Sequence, residues 1–227
     1  MNHRVEQGLP DSVAPFDSLA GQVTYLYDPL CGWCYGAMPA LEVLQSRAKI
    51  TFVPTGLFAG EGARVMDANF AAYAWENDQR IASLTGQPFS ERYREQVLLP
   101  GTAFDSTVAT LALVAVSLDA PDQLFAACKA IQHARYVDGR DTSVRQEVAA
   151  VLDGMGLSGA AARLLANDRG VLAAARHAVA TGRRLMAAHG ARGVPTVVLS
   201  TEQGDRLIPS QLLYGEREAL LRQLDSQ

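Results

Sequence analysis

The pattern of apolar positions predicts a small sheet built from the two ends of the chain. Residues 23–27 (VTYLY) and 50–54 (ITFVP) are continuous apolar runs rich in β-branched and aromatic residues, which is typical of buried strands. Between them the pattern predicts a helix from Cys31 to about Arg47, with Pro39 inside it as a kink. The fold therefore opens with a strand, a helix and a second strand.

The middle of the chain is helical in pattern, and strands return only near its end. Apolar residues recur at helical spacing from about residue 60 to 168, and a further helix is predicted over 169–189. The last elements are predicted as two strands and a helix, over 196–200, 206–209 and 216–224. This order indicates a small sheet layered with helices and interrupted by an all-helical segment.

These patterns predict an α/β protein with a short arm and two domains. The arm covers residues 1–20, which lack periodicity. The domain that holds the sheet is predicted to combine residues 21–60 and 169–227. A helical domain, residues 61–168, is inserted between them. A chain of 227 residues is long enough for one domain and an insertion of this size.

Composition and charge argue against several classes of partner. The net charge is −4 and no basic run exceeds two residues, so nothing favours nucleic acid or a membrane surface. No apolar run reaches the ~18 residues that span a bilayer. The first twenty residues lack the apolar core of a secretory signal. We therefore expect a cytoplasmic protein, in which closely spaced cysteines are more often catalytic or metal-binding than structural.

Two of the three cysteines, Cys31 and Cys34, lie three positions apart just after the first predicted strand. Residues i and i+3 of a helix face the same side, so the two sulfurs can bond. At a helix start the unpaired amides and the macrodipole favour a thiolate. This predicts Cys31 as the nucleophile and Cys34, one turn deeper, as the resolving thiol. Gly32 leaves its amide accessible, and Trp33 offers a flat apolar surface to a peptide.

Two other interpretations of the cysteine pair are weaker. A zinc site needs two more ligands at matching spacing, and the remaining candidates are Cys128 and four scattered histidines. No metal site is therefore predicted. A fortuitous pair in a core helix is disfavoured by the strand that precedes it. Cys128 shares an apolar helical stripe with Leu124 and Ile131, which favours a buried structural thiol.

A second motif, residues 193–196 (GVPT), leads into the strand at 196–200. A cis peptide bond before Pro195 would turn the carbonyl and amide of Val194 towards a neighbouring site, where an extended substrate could pair with them. A trans proline that starts an edge strand is the commoner alternative, because only about 5–6% of X-Pro bonds are cis. Trp33, Val194 and Pro195 are the candidate substrate-binding residues.

The two motifs together resemble the DsbA-like branch of the thioredoxin superfamily, and within it the FrnE-related predicted cytoplasmic protein-disulfide isomerases. The resemblance is carried by residues 28–36 (DPLCGWCYG) and 193–196 (GVPT), with softer support from 85–89 (TGQPF) and 136–141 (YVDGRD). It implies a thioredoxin-like fold with an all-helical domain inserted after the second strand. It also implies a cis Pro195 that faces the cysteine pair.

The resemblance also has one departure. Many thioredoxins and DsbA proteins carry a buried carboxylate six positions before the first cysteine, and here that position is Tyr25. No general base is therefore assigned for proton transfer at Cys34.

The cysteine chemistry and the resemblance predict a thiol-disulfide oxidoreductase or isomerase that acts on protein or peptide disulfides. No bound cofactor is implied, and glutathione is the candidate redox partner. One alternative is a glutathione-dependent isomerase or transferase of the 2-hydroxychromene-2-carboxylate isomerase (kappa-class) type. Such enzymes typically use a serine at the helix start, so Cys31 and Cys34 argue against this function. Another is a non-catalytic chaperone or binding module switched by its thiols.

Overall fold

The structure is a computed structural model that describes residues 22–215 and 217–225. The predicted arm, residues 1–20, lies outside the described residues. The strands are β1 (Gln22–Tyr27), β2 (Ile50–Pro54), β3 (Arg64–Val65), β4 (Ala103–Phe104), β5 (Thr196–Thr201) and β6 (Gly204–Ile208). The α-helices are α1 (Gly32–Gly36), α2 (Met38–Gln45), α3 (Ala68–Thr85), α4 (Glu91–Tyr93), α5 (Thr107–Asp119), α6 (Leu124–Tyr136), α7 (Arg145–Gly154), α8 (Ser158–Leu165), α9 (Arg169–Ala188) and α10 (Arg217–Asp225).

The main sheet has four strands in the order β2-β1-β5-β6. β1 and β2 are parallel, as their crossover through α1 and α2 requires, whereas β5 is antiparallel to both β1 and β6. β1 is central, and its side chains Val23, Tyr25 and Tyr27 are buried. The sheet is therefore assembled from the two ends of the described chain, and the loop after β1 lies beside the start of β5.

The predicted fold class is confirmed: the chain has a thioredoxin-like fold with a long helical segment after the second strand. The predicted strands agree with the observed ones to within two residues at each end. The helical segment is not purely helical, since β3 and β4 form a short antiparallel pair within it. The division of the chain into domains at residues 61 and 168 stays a prediction.

The helix predicted from Cys31 to Arg47 is wrong as a single element, because two helices occupy this region. α1 ends at Gly36, and α2 begins at Met38 after Ala37. Pro39 lies at the second position of α2, where a proline has no intrahelical hydrogen bond to lose. Within one continuous helix the same ring would clash with the carbonyl of Tyr35. The chain relieves this conflict by breaking the helix before the proline.

The helical segment packs around α5, which is apolar on all sides and buried from Ala109 to Val116. α5 contacts α6, α7, α8 and α9, and α9 also contacts β2. Gly182 of α9 lies so close to β2 that an added Cβ would come within 2.3 Å of the Pro54 carbonyl oxygen. α9 therefore joins the helical segment to the sheet.

Candidate active site

The cysteine pair lies where the turn after β1 becomes α1. Cys31 is the N-cap of α1 and has an extended backbone (φ −80°, ψ 116°). Its amide donates to the carbonyl of Asp28 over 3.1 Å. Cys34 lies one turn into the helix and is fully buried. Cys31 is only 6% exposed. Its sulfur is therefore reached through the cavity that it lines and not from an open surface.

The environment of Cys34 disfavours its thiolate. Burial raises the pKa of the Cys34 thiol well above its ordinary value, and the neighbouring thiol at the start of α1 raises it further. The Tyr25 hydroxyl donates to the Cys34 carbonyl over 3.3 Å. Burial also raises the pKa of Tyr25 well above its ordinary value, so this phenol stays protonated. Tyr25 is thus a donor beside Cys34 and not an acceptor for its proton.

The second motif lies directly against the first. The Val194–Pro195 peptide bond is cis, as predicted, and β5 begins at the next residue. The Cys31 thiol donates to the Val194 carbonyl over 3.5 Å, a contact between residues 163 positions apart in the chain. The structure therefore brings the two sequence motifs together, while the role of Val194 and Pro195 in substrate binding stays a prediction.

Trp33 separates two cavities beside the cysteine pair. One, of about 570 Å³, is lined by Trp33 together with Val194 and Pro195. The other, of about 310 Å³, is lined by Trp33 and Cys31. The indole packs against Tyr214 with ring centroids 4.9 Å apart, and the guanidinium of Arg80 lies 5.8 Å from its centre. These contacts hold the ring in place as a common wall.

Two glycines of α1 allow α3 to approach the active-site helix. A Cβ on Gly32 would come within 2.5 Å of Asp78 Oδ1, and one on Gly36 within 2.5 Å of Ile81 Cγ2. Residues i and i+4 share a helix face, so the two glycines form one flat contact surface. From its sequence context, Gly32 is expected only to leave its amide accessible. The structure adds that a side chain here would collide with a carboxylate.

Sequence reasoning missed Asp78, which lines the smaller cavity together with Cys31. Its signal was weak but present: it lies seven residues after the buried Ala71, which places an acid on the buried face of α3. Burial raises the pKa of Asp78 to about 7. A hydrogen bond of 3.1 Å from the Tyr93 hydroxyl and the charge of Arg135 act in the opposite direction.

A second buried carboxylate, Asp28, has a structural role. It accepts hydrogen bonds from the amides of Leu30 and Phe58, each over 3.0 Å, and from the Ser106 hydroxyl over 2.8 Å. Burial raises the pKa of Asp28, and these donors oppose the rise. Because Ser106 immediately precedes α5, this carboxylate ties the active-site turn to the helical segment.

The third cysteine lines neither of the two cavities beside Cys31. Cys128 is fully buried on α6, and burial raises the pKa of its thiol. In the part of the chain that the structure describes, no cluster of histidines, cysteines or acids is suited to a metal ion. None of the described helices is both long and apolar enough to cross a bilayer.

In this site a helix starts at one cysteine and buries a second, and a cis proline at the start of a strand lies beside them. This arrangement defines a thiol-disulfide oxidoreductase with the thioredoxin fold. The chain belongs to the DSBA-like thioredoxin domain family, whose model matches residues 22–213. A search of curated protein sequences found no match.

Solved structures agree with this assignment. The cytosolic disulfide reductase DsbM from Pseudomonas aeruginosa is 30% identical, with a TM-score of 0.79, covering 91% of this chain and 98% of DsbM. A structure of DsbM with GSH gives the same identity and coverage and a TM-score of 0.77. A putative protein disulfide isomerase from Nitrosomonas europaea is 24% identical, with a TM-score of 0.72 and coverage of 91% and 96%.

A 2-hydroxychromene-2-carboxylate isomerase shares only the fold with this chain. It is 18% identical, with a TM-score of 0.59, covering 89% of this chain and 95% of that protein.

Proposed function

We propose that the protein is a cytoplasmic reductase or isomerase of protein and peptide disulfides that works through the Cys31-Gly32-Trp33-Cys34 dithiol. The observation that carries the proposal is the position of Cys31 at the N-cap of α1, against the Val194 carbonyl and with Cys34 buried one turn behind it. The similarity to a cytosolic disulfide reductase supports both the reaction and the compartment.

The reaction divides between the two sulfurs. The Cys31 thiolate attacks one sulfur of the substrate disulfide, which forms a mixed disulfide and expels the other substrate sulfur as a thiolate. Cys34 then loses its proton and attacks Cys31 Sγ. The Cys31–Cys34 disulfide forms and the second substrate thiol leaves. Two electrons pass to the substrate. The Cys34 proton passes to one substrate thiolate, and the other thiolate takes its proton from water, which received the Cys31 proton when that thiolate formed.

A different thiol must return the protein to its reduced form. Two molecules of glutathione would restore the dithiol through a mixed disulfide with Cys31, leaving oxidised glutathione. Glutathione is proposed as this reductant because the similar DsbM has been solved with GSH. No bound cofactor is needed for either half of the cycle.

The substrate is proposed to lie along the cis-proline loop. Trp33, Val194 and Pro195 line one cavity, and the Val194 carbonyl already accepts the thiol hydrogen of Cys31. An extended peptide that presents its disulfide to Cys31 would exchange this contact for main-chain hydrogen bonds with the loop. Such binding depends on the main chain of the peptide and not on its side chains, so it suits peptides of many sequences.

Turnover assays test the proposal. The wild-type protein should reduce insulin in the presence of glutathione and reactivate scrambled ribonuclease. Cys31→Ser should abolish both activities, because the attacking sulfur is lost. Cys128→Ala is the matched control, since it removes a buried thiol that lines neither cavity beside Cys31, and it should retain activity. A wild-type protein inactive in both assays would contradict the proposal.

Two further assays separate the alternative functions. A redox-switched chaperone would suppress aggregation of an unfolded client without reducing insulin. An isomerase of the kappa-class type would convert 2-hydroxychromene-2-carboxylate in the presence of glutathione. That function has only the shared fold in its favour, and the second cysteine would have no part in it.

A further inference from the structure

α3 brings a buried acid to the first turn of the active-site helix. Asp78 is 5% exposed, and its Oδ1 lies 2.5 Å from the point where a Cβ on Gly32 would stand. The same side chain lines the cavity of about 310 Å³ into which Cys31 opens. Gly32 is the residue between Cys31 and the rest of α1, so the carboxylate lies at the end of the helix where a thiolate would form.

The partners of this carboxylate leave one oxygen open. Oδ2 accepts a hydrogen bond of 3.1 Å from the Tyr93 hydroxyl. Among the described residues no donor bonds Oδ1, and no lysine or arginine forms an ion pair with the carboxylate. When ionised, Asp78 places a negative charge in this cavity that the Tyr93 hydroxyl and the guanidinium of Arg135 offset only in part. Because the carboxylate is buried, its field on a nearby group is screened less than that of a surface charge.

A buried cation, the guanidinium of Arg135, packs against the ring of Tyr93. The guanidinium of Arg135 is fully buried, and none of its nitrogens has a hydrogen-bond partner among the described residues. It is held against the rings of Tyr93, Phe104 and Tyr136, with distances of 5.6 to 6.0 Å to their centres. Its charge favours the ionised form of Asp78 and partly offsets burial, which leaves the pKa of Asp78 at about 7.

Several other groups that carry or can acquire charge lie in or beside the cavity that Asp78 lines. These are the thiol of Cys31 at the N-cap of α1, the hydroxyls of Tyr93 on α4 and Tyr136 on α6, and the guanidinium groups of Arg135 on α6, Arg64 on β3 and Arg80 on α3 itself. Burial raises the pKa values of Tyr93 and Tyr136 well above the ordinary value, so both stay neutral. The group in this set whose charge changes near neutral pH is therefore the acid.

We propose that Asp78 is a positioning residue whose ionised carboxylate opposes the Cys31 thiolate and so keeps the dithiol a reductant. The reduced protein carries the thiolate and the disulfide form does not, so a negative charge beside Cys31 disfavours the reduced form only. The reduced dithiol then transfers its two electrons to a substrate disulfide more readily. This inference rests on the proposed function and explains how its direction is set, since a stabilised thiolate would instead give an oxidant.

The test is the pH profile of Cys31 alkylation, which needs no turnover. Iodoacetamide labelling of Cys31 in the full-length protein is followed by mass spectrometry between pH 4 and 9, in wild type and in Asp78→Asn. The wild-type profile should be broader than a single ionisation, because Asp78 changes charge within the pH range of the measurement. In Asp78→Asn it should narrow to one ionisation. Its midpoint should fall by about half a pH unit, a roughly threefold faster reaction on the acid side.

Two further variants keep the test decisive. Glu76→Gln removes the same charge from an exposed position of the same helix, and its profile should match wild type. Tyr93→Phe removes a donor that favours the ionised carboxylate, so Asp78 stays neutral to higher pH and the profile should move in the same direction as in Asp78→Asn. Tyr93→Phe replaces Asp78→Asn if the latter does not fold.

The outcomes separate this inference from the proposed function. Superimposable profiles for wild type and a folded Asp78→Asn would overturn the role of Asp78, and so would an equal shift in Glu76→Gln. A wild-type protein that does not reduce insulin would contradict the proposed function, whereas the alkylation profiles would still differ between wild type and Asp78→Asn. Equilibration with glutathione at pH 8 gives a second readout, in which Asp78→Asn should retain a larger reduced fraction than wild type.

Discussion

Cys31 and Cys34 share one helical turn and yet have opposite surroundings. Cys31 opens into a cavity and has the unpaired amides of α1 beside it, which favour a thiolate. Cys34 is enclosed on all sides, and its pKa is raised by burial. Three positions of sequence are therefore enough to separate an attacking sulfur from a resolving one.

Selective alkylation measures this difference. At mildly acidic pH iodoacetamide should label Cys31 far faster than Cys34 or Cys128, because burial keeps both of the latter protonated and out of reach. Peptide mapping over time reports the three rates, and protein unfolded in urea is the control in which they should converge. Equal labelling of Cys31 and Cys34 in the folded protein would refute the assignment. Cys34→Ser should in addition accumulate mixed disulfides through Cys31.

Asp78 should also leave a signature in the pH dependence of stability. Its pKa is about 7 in the folded protein against 3.8 as its ordinary value, so between these limits the folded state holds a proton that the unfolded state has lost. The contribution of this group to the free energy of unfolding is therefore most favourable below the lower limit. It falls as pH rises towards 7, by roughly 1.4 kcal/mol per pH unit for this one group.

Urea unfolding of wild type and Asp78→Asn at pH 5 and pH 8 tests the sign. The asparagine can still accept the hydrogen bond from Tyr93 but cannot ionise. The variant should gain stability relative to wild type as pH rises from 5 to 8. A constant difference between the two proteins across this range would show that Asp78 does not titrate there.

At the scale of elements, the contact between α1 and α3 decides what surrounds the dithiol. Gly32 and Gly36 leave one face of α1 without side chains, and Asp78 and Ile81 of α3 fill that space. The break before Pro39 keeps α1 short, so that it presents both cysteines and both glycines within five residues of the N-cap. The helical segment thereby contributes directly to the active site.

Gly36→Ala tests this packing. Its new methyl group would stand 2.5 Å from Ile81 Cγ2, which forces one helix to move and costs about 1–3 kcal/mol. Gly154→Ala is the matched control, because it lies on a helix with no atom within 4 Å of the added Cβ and should be neutral or stabilising by up to ~1 kcal/mol. Free energies of unfolding in urea give both values. Equal stabilities of the two variants would show that the helices can separate freely.

At the scale of the whole molecule, the sheet and the helical segment meet at the dithiol. The sheet contributes the turn after β1 and the cis-proline loop before β5. The helical segment contributes Asp78 through α3 and the Ser106 hydroxyl that holds Asp28. The redox poise of the protein is therefore a property of both parts together.

We predict a reduction potential between about −270 mV, the thioredoxin value, and about −120 mV, the DsbA value. Gly32 and Trp33 add no cation to the active-site dipeptide, and position 25 carries no carboxylate. Both features set the protein apart from the strongest oxidants of the superfamily. Equilibration with defined glutathione ratios, followed by Trp33 fluorescence and checked by thiol labelling, measures the potential. A value at or above that of DsbA would make the protein an oxidase.

The amino-acid sequence alone determined the features that depend on neighbouring residues. Apolar runs rich in β-branched and aromatic residues located β1 and β2, and the spacing of Cys31 and Cys34 after a strand indicated the dithiol at a helix start. These are local signals, because strand propensity and helix position are set within a few residues. The family resemblance added the pairing of the two motifs, which spacing by itself does not show.

Only the tertiary structure decided which distant groups share the site. Asp78 and Arg135 lie on helices whose sequence patterns predict core packing, and nothing near them in the chain marks them as neighbours of Cys31. The proximity of Asp78 to Gly32 arises because two glycines let α3 close onto α1, which is a match between the surfaces of separate elements. Its pKa of about 7 follows from burial, a property of the assembled core that no local pattern specifies.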